Sequence, residues 1–513
     1  MQACLNGKIK MIEKNKVLLI YPPNQLMDIE TPRPDGSLGL LYLASALEAK
    51  GIPTDVLDAS VGTSSQSLQD TFYHLVRQEN GLIRIGMDFE DIANHVIREK
   101  YNVVGISSNL TPQTRMVFET ARAIKKADPS IKIYAGGINA RALKERFLAA
   151  GYFDGVCLSE GELIFPRLVL EGVKEIPGMA FNRKGEIIVN PVDQSCFPKT
   201  LDNLLMPAWE KLPFAKYEQI ASPHGVDVTE RKDPRYAPIM TSRGCKFRCD
   251  YCHISTERGN SLTGPIGRIR FHSLERVLSE VEKLKSLGVG RLFFEDDSLF
   301  ALRRRAKEIL ELIKNDGISI TNVNGVNLID YFAKTPSGYV IDKEFLDILR
   351  DAEFNQIVFP VESGSQRILN KYATCKVNLD KLDLLGLMKE MSGLGIKAPV
   401  NMMVGFPDET EEEVEQSIVM ARRLMDAGAP YVTFFIPIPF PGSKLFETAV
   451  SQGYLDRDFD TDIMNWKRPV MQNTTIPPER LVEIRDRANE EVNTREHNAR
   501  RLEQSAGHRW SRG

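Results

Sequence analysis

The chain has 513 residues, 42% of them hydrophobic, enough for two or three domains of ~100–200 residues with separate cores. Lysine plus arginine (66) nearly balances aspartate plus glutamate (69), so no basic field exists to bind nucleic acid. Seven cysteines, an odd number, argue against a disulfide framework and fit a reducing cytoplasm. The longest apolar runs are too short for a signal peptide or for the ~20 residues of a membrane span. We therefore expect a cytoplasmic protein with no membrane span.

Residues 16 to about 172 alternate short apolar runs with amphipathic stretches. The first run, KVLLIYPP, is typical of a buried strand, and LGLLYLASALEAKG predicts a helix that ends at Gly51. The same alternation continues through PTDVLDAS, YNVVGISSNL, TRMVFETARAIKKA, IKIYAGGI and FDGVCLSEGE. Strands of nearly continuous apolarity separated by helices indicate a parallel sheet that is covered on both faces. Residues 1–172 are therefore predicted to form a doubly wound α/β domain, with a ligand crevice beyond the C-terminal ends of its strands.

The second half of the chain repeats the strand–helix alternation after an interruption. Residues 173–236 are rich in proline and charge and are predicted to be a linker. Six strands are then predicted within residues 237–445, in APIMTSRG, RLFFEDDS, ITNVNGVNLI, QIVFPVESGS, APVNMMVGFP and YVTFFIPIPFPGS. Six β/α units in a row predict a partial (β/α)6 barrel whose chemistry lies at the C-terminal ends of the strands. Residues 446–513 are predicted to be a small helical region with a frayed tail.

Three cysteines lie within eight residues of the stretch SRGCKFRCDYCHIS, just after the first predicted barrel strand: Cys245, Cys249 and Cys252. Chance alignment on one helix face is one interpretation, but such clustering is rare at this cysteine content. A zinc site is the second; zinc needs four ligands, and although His253 follows Cys252, no second Cys-x-x-Cys pair is present. The third is an iron–sulfur cluster, in which three thiolates bind three irons and leave the fourth open for a ligand that the protein does not supply. The four scattered cysteines are interpreted as ordinary small hydrophobic residues: Cys4, Cys157, Cys196 and Cys375.

The pattern Cys-x-x-x-Cys-x-x-Cys, with the aromatic residue Tyr251 before its last cysteine, resembles that of the radical S-adenosylmethionine (SAM) enzymes. The predicted six-unit barrel matches the fold of that superfamily. In these enzymes the amino and carboxylate groups of SAM chelate the open iron of a [4Fe-4S] cluster, and the reduced cluster cleaves SAM to a 5′-deoxyadenosyl radical. The resemblance therefore implies such a cluster on the three cysteines, with Tyr251 beside the cofactors. It also implies an electron donor such as flavodoxin or ferredoxin.

Further motifs resemble the branch of this superfamily that has an N-terminal cobalamin-binding domain, which implies a flavodoxin-like fold for residues 1–172. They are FFEDDSLF, VESGSQRILNKY, VGFPDETEEE and PIPFPGSKLF at the barrel strands, the linker LDNLLMPAWEKLP, and the loops GGIN and SEGE. Carboxylates at the ends of strands suit the ammonium and ribose hydroxyls of SAM, and glycines allow a bulky ligand to approach the backbone. The candidate SAM contacts are Asp296, Asp297, Glu362 and Ser365, and the candidate cobalamin contacts are Gly136, Gly137, Glu160 and Gly161.

The resemblance implies a class B methyltransferase that transfers a methyl group from methylcobalamin to an unactivated carbon of a small molecule, after the adenosyl radical abstracts hydrogen. A cyclase or ring-rearranging enzyme would share every motif, so that alternative stays open. RNA methylthiolation is disfavoured because those enzymes carry extra N-terminal cluster cysteines and a basic C-terminal β-domain. The loop YPPNQLMDIETPRPDGS lacks the histidine of the methionine synthase pattern DxHxxG, so we do not expect a histidine below cobalt. The substrate is not identified by the sequence.

Overall fold

The computed structural model describes residues 15–27, 30, 34, 36–220, 235–259, 261–322, 324–374, 376–464 and 468–499. The described residues form two compact units. The first comprises those within Met1–Pro223 and Glu257–Ile266, and the second those within His224–Thr256 and Gly267–Gln504. Cys4, Cys375, part of the loop after the first strand and the predicted frayed end of the tail lie outside the described residues.

A parallel sheet forms the centre of the first unit. Its parallel strands, in sheet order, are Gly155–Cys157, Lys132–Gly136, Val103–Ser107, Val17–Tyr21 and Thr54–Asp58. The helices between them are Leu38–Glu48, Phe89–Arg98, Thr114–Ala127, Ile138–Ala142, Lys144–Ala149 and Gly161–Glu171. Residues 17–20 are at most 1% exposed, although consecutive side chains of a strand point to opposite faces, so both faces of the sheet are covered. The predicted doubly wound fold is confirmed, and its strand order reverses at Val17–Tyr21, where such sheets bind ligands.

The segment predicted as a linker begins with regular structure instead. Strands Met179–Arg183 and Glu186–Val189 form a hairpin that extends the main sheet antiparallel to Gly155–Cys157. Each strand has only three apolar residues, followed by Asn182 and Arg183 in the first and preceded by Glu186 in the second, which is why their sequence does not indicate a sheet. A further small sheet that the sequence did not predict consists of Asn24–Leu26, Ile83–Ile85 and Val76–Arg77. The rest of the linker is largely irregular around the short helix Phe214–Tyr217.

Six parallel β/α units form the second unit, as predicted. One sheet contains Tyr236–Ile239, Arg291–Phe294, Ser319–Asn322 and Phe354–Ile357, and the next contains Phe359–Glu362, Val400–Met403 and Val432–Phe435. The predicted fourth strand is thus divided at Val358 and contributes to both sheets. We number the barrel strands 1 to 6 in chain order, with both pieces of the fourth counted together. Short antiparallel pairs lie outside these sheets: Ser242–Arg243 with Arg270–Phe271, and Phe332–Thr335 with Gly338–Ile341.

The helices of the second unit follow the strands in alternation. They are Leu274–Ser286, Arg303–Ile313, Lys343–Asp351, Gln366–Tyr372, Leu384–Gly393, Glu411–Asp426, Lys444–Ser451 and the C-terminal helix Pro478–Val492. Just beyond that last helix, the Asn493 side chain accepts a hydrogen bond from Val432 N and donates one to Val432 O, both at 2.8 Å. Asn493 therefore pairs with the exposed edge of barrel strand 6, which would otherwise leave backbone groups unsatisfied. Among the described residues, no helix has the length and hydrophobicity that crossing a membrane requires.

Candidate active site

A tight turn leads from barrel strand 1 into the cysteine loop. Gly244 has a φ of 83°, a left-handed conformation that favours glycine. A Cβ atom at this position would lie 2.3 Å from the carbonyl oxygen of Arg268. The backbone N–H of Gly244 also donates a hydrogen bond of 2.8 Å to Asp297. The glycine is therefore required by the close approach of the chain's own backbone, one residue before Cys245.

The three cysteines share this loop and are free thiols. Cys249 is buried and its Sγ lies 3.6 Å from the carbonyl oxygen of Ala373, whereas Cys245 and Cys252 are partly exposed. Burial raises the pKa of Cys249, an effect that Lys376 and Tyr251 oppose, and burial raises the pKa of Cys252 to about 12. Protein alone therefore stabilises these thiolates poorly, and a metal cluster would supply the missing positive charge. Such donors fit iron–sulfur ligation.

The zinc interpretation gains no support from the structure. Across the described part of the chain, no group of three or more His, Cys, Asp or Glu side chains converges closely enough to hold a metal ion, and this includes the three loop cysteines.

A buried lysine that the sequence analysis missed lies beside the cysteine loop. Lys376 Nζ donates a hydrogen bond of 2.5 Å to Glu362, which also accepts one of 3.0 Å from the Tyr251 hydroxyl. Burial alone would lower the pKa of Lys376, but the charges of Glu362 and Cys249 outweigh it and raise that pKa. Lys376 therefore stays cationic beside Cys249, one of the candidate cluster ligands. Nothing in the local sequence distinguishes it from a solvated lysine.

Glu362 occupies an unusual backbone conformation at the end of barrel strand 4. Its φ is 71°, in the left-handed region that residues other than glycine rarely adopt, and the strand register shifts between Pro360 and Glu362. The carboxylate is 8% exposed and is held by Lys376 and Tyr251. Backbone strain of this kind is often found at functional sites, where surrounding contacts maintain it. The strained backbone of Glu362 is therefore consistent with the sequence-based prediction that this residue is functional.

Asp296 is enclosed by the protein. It has no exposed surface and accepts hydrogen bonds from the backbone N–H of Thr241 (3.0 Å), the Thr241 hydroxyl (2.8 Å) and the Ser242 hydroxyl (2.6 Å). Burial raises the pKa of Asp296, and these donors together with the nearby Arg305 charge oppose that rise. Arg305 itself donates to the Thr241 carbonyl at 3.0 Å. This geometry favours a role in holding the start of the cysteine loop over the direct SAM contact suggested by the sequence.

The other two candidate SAM contacts in the barrel, Asp297 and Ser365, also differ from each other in exposure. Asp297 is exposed and contacts the backbone of Gly244, so its carboxylate lies at the mouth of the cysteine loop. Ser365 is 2% exposed; its hydroxyl caps the helix Gln366–Tyr372 through Ile368 N and donates to Glu413 at 2.8 Å. Ser365 therefore has a full structural role, whereas Asp297 is placed to receive a cation.

The cobalamin candidates lie on loops that follow neighbouring parallel strands of the first unit, and so share one edge of the sheet. Gly137 has a φ of 104°, and a Cβ there would lie 2.5 Å from the Ser108 carbonyl oxygen. A Cβ at Gly136 would meet only the Cys157 side chain, at 3.9 Å. The chain's own turn therefore requires Gly137, whereas Gly136 leaves open space.

The same edge of the sheet contains a buried amide side chain and a closely packed helix start. Asn139 is 1% exposed and donates to the Ser108 and Thr114 hydroxyls, but its Oδ1 atom has no hydrogen-bond partner. A buried acceptor without a partner fits a site that binds a polar ligand. Glu160 is partly exposed immediately before the helix that starts at Gly161. A Cβ at Gly161 would lie 2.9 Å from the Leu43 side chain, so that glycine allows close helix packing.

Two family models match this chain, one in each half. The radical SAM superfamily model matches residues 239–421, and the B12 binding domain model matches residues 36–169. The cytidylyl-2-hydroxyethylphosphonate methyltransferase of Streptomyces wedmorensis is 26% identical over an alignment of 527 positions, gaps included, that covers 95% of this chain and 92% of that protein. The anaerobic magnesium-protoporphyrin IX monomethyl ester cyclase of Rubrivivax gelatinosus is 24% identical over 403 residues (74% and 65%).

A solved structure has the same fold. The radical SAM methyltransferase TsrM from Kitasatospora setae, determined with tryptophan substrate and a SAM analogue, aligns with a TM-score of 0.62 and 17% identity. The alignment covers 97% of this chain and 89% of that one. The chain therefore belongs to the radical SAM superfamily and carries a B12-binding domain. The two matched domains make it a radical SAM enzyme with a B12-binding domain. A structure of TsrM that is similar to this chain contains cobalamin and a [4Fe-4S] cluster.

Proposed function

We propose that the protein transfers a methyl group to an unactivated carbon of a small-molecule substrate. The observation that carries the proposal is the presence, in one chain, of a B12-binding domain and a three-cysteine loop that leaves one cluster position for SAM. When bound, the cluster and SAM supply radical chemistry and cobalamin supplies a methyl group. The phosphonate methyltransferase relative, similar over 95% of this chain, favours the same chemistry here.

The side chains around the cysteine loop suit the polar ends of SAM. We assign the exposed carboxylate of Asp297, beside Gly244, to the SAM ammonium, because charge-assisted hydrogen bonds are strongest between opposite charges. Glu362, with its strained backbone and its bond to Tyr251, is assigned to ribose hydroxyls. Lys376 provides a buried cation that stabilises both Glu362 and the Cys249 thiolate. Together these groups would hold SAM in one orientation and exclude water from the reacting atoms.

Asp296 and Ser365 are assigned positioning roles instead of direct contacts. Asp296 holds Thr241 and Ser242, four and three residues before Cys245, and Ser365 caps the helix that follows barrel strand 4. Both side chains are buried with their hydrogen bonds directed at the protein. Their loss should therefore act on the cysteine loop and on stability before it acts on SAM.

The decisive experiment follows the methyl group. Anaerobically reconstituted protein is incubated with SAM carrying a deuterated methyl group, cobalamin, a strong reductant and a pool of candidate metabolites, and products are identified by mass spectrometry. We expect a product that is heavier by one labelled methyl group. The matched control is Cys249→Ala, which should bind about four fewer irons per chain and form no 5′-deoxyadenosine.

A cyclase is the second candidate, because the magnesium-protoporphyrin ester cyclase of Rubrivivax gelatinosus is also similar over 74% of this chain. A product that has lost hydrogen and carries no labelled methyl would establish cyclisation and refute methyl transfer. A reducing partner such as flavodoxin or ferredoxin is part of this proposal, since SAM cleavage requires a reduced cluster. Faster product formation with such a donor than without it would support that partner.

A further inference from the structure

One short segment of the chain belongs to a different unit from the residues on either side of it. Glu257–Ile266, which we call the strap, is part of the first unit, whereas His224–Thr256 and Gly267–Gln504 are part of the second. Thr256, four residues after Cys252, is thus the last residue of the second unit before the strap, and Gly267 is the first one after it. Residue 260 within the strap lies outside the described residues.

Both ends of the strap adjoin the cysteine loop. At its start, the short 3-10 turn His253–Ser255 is bonded to Cys252, since Ser255 N donates to the Cys252 carbonyl at 3.2 Å. At its end, the carbonyl oxygen of Gly267 accepts a hydrogen bond of 3.3 Å from Cys245 N. Two of the three cluster ligands are therefore connected, by chain or by hydrogen bond, to the ends of this segment.

The strap itself is fixed to the two candidate cobalamin loops. Arg141, on the helix that contains part of GGIN, donates from Nε to Glu257 Oε1 at 2.6 Å, and the two side chains are 12% and 9% exposed. Ser159, of the SEGE loop, donates to the Thr263 carbonyl at 2.8 Å. A Cβ at Gly264 would lie 2.3 Å from the Phe197 ring, so the strap backbone packs closely there. The contacts are thus specific and largely buried.

We propose that Arg141 and Glu257 are positioning residues that couple the cobalamin site to the cluster ligands. Cobalamin bound at the GGIN and SEGE loops restrains Arg141 and Ser159, these hold the strap, and the strap holds the backbone at Cys245 and Cys252. By linkage, the cluster must favour cobalamin binding by the same factor. The inference rests on the two cofactors and not on methyl transfer, so it can fail or succeed independently of the proposed reaction.

The test measures how cobalamin affects cluster release. Iron loss from the reconstituted full-length protein to a chelator is timed under anaerobic conditions, with and without saturating hydroxocobalamin. Couplings between sites typically lie between 5- and 150-fold, so we expect cobalamin to slow iron loss by about fivefold or more. Glu257→Gln and the milder Arg141→Lys should each remove most of that protection, and the double variant should lose little more than either single one. The matched control, Glu119→Gln, breaks an exposed pair with Arg122 in the same unit and should retain full protection.

Three results would overturn the coupling. Full protection in both variants would mean that cobalamin shields the cluster directly, without the strap. Absence of bound cobalamin from both variants would make the pair part of the corrin site itself. Fast iron loss already without cobalamin, in variants with lowered unfolding midpoints, would reduce the pair to a structural role.

Discussion

Asp296 and Asp297, the two adjacent aspartates of the sequence EDD, should differ in what an alanine substitution removes. We expect Asp296→Ala to act on stability and iron content, and Asp297→Ala to act on the SAM requirement. Asp296 is fully buried and accepts three hydrogen bonds from Thr241 and Ser242. Asp297 is exposed, and its partners include Gly244 N. Each lost hydrogen bond to a charged group costs ~1.5–3 kcal/mol, but removing Asp296 also relieves the cost of burying its charge. Removing one partner of a buried charged network typically costs ~3–5 kcal/mol. We expect a loss in that range for Asp296→Ala, a large share of a native stability of ~5–15 kcal/mol.

The assay combines urea unfolding with cofactor measurements on one anaerobic sample. Asp296→Ala should lower the unfolding midpoint and the iron content, because the backbone before Cys245 loses its anchor. Asp296→Asn, which keeps an acceptor oxygen, should lose less. Asp297→Ala, which also loses the bond to Gly244 N, should lower stability and iron content less than Asp296→Ala does. It should need roughly tenfold to over a hundredfold more SAM for 5′-deoxyadenosine formation, the value of one charge-assisted hydrogen bond.

The contrast between the two variants makes the reasoning refutable. If Asp296→Ala keeps the parent midpoint and iron content but loses SAM affinity, Asp296 contacts SAM and the positioning role is wrong. If Asp297→Ala cleaves SAM with the parent concentration dependence, Asp297 is not the ammonium partner. If either variant loses cobalamin while keeping iron, the acidic strand end serves the corrin instead.

Four further predictions concern other parts of the chain. Lys376→Met should lower the unfolding free energy by about 3–5 kcal/mol, because it leaves the Glu362 carboxylate buried without its cation. Adding Glu362→Gln should restore part of this loss. If the two substitutions have additive costs in urea unfolding, the pairing is contradicted. Burial raises the pKa of Glu409 to about 8, against the opposing bonds from Gly405 N and Phe406 N. Because this folded pKa exceeds the unfolded value of 4.5, the native state holds the proton more tightly and stability falls as pH rises from about 4.5 through 8. Glu409→Gln should flatten that decline, and an unchanged pH slope in thermal unfolding would exclude Glu409 as its source. Asn493→Ala should cost ~1–3 kcal/mol, since two backbone groups of Val432 lose their partner. Asn498→Ala, at a partly exposed position whose side chain makes one long bond of 3.4 Å to the Glu490 carbonyl, should change the urea midpoint much less; equal effects would argue against edge protection. Bound cob(II)alamin should show an electron paramagnetic resonance spectrum without nitrogen splitting from a lower axial ligand, because the first-strand loop has no histidine; clear splitting would disprove that expectation.

The sequence alone predicted the features that depend on local pattern. Continuous apolar runs such as VLLIY and the LFF of Arg291–Phe294 become buried parallel strands, because both faces of each sheet are covered and consecutive side chains are therefore mostly apolar. The three-cysteine spacing likewise specifies a chemistry without reference to the rest of the fold. The half-polar strand Met179–Arg183 was missed for the same reason, since it lies towards one edge of its sheet and carries no such pattern.

Only the tertiary structure decided which polar residue does what. Asp296 and Asp297 are identical side chains at consecutive positions, and their burial differs because neighbouring residues of a chain face different surroundings. Lys376 becomes a buried cation, and Arg141 a partner of Glu257, through contacts between segments that lie 14 and 116 residues apart. Local sequence cannot report such pairs, because the energy of a charge depends on its desolvation and its partners, and folding alone brings these together.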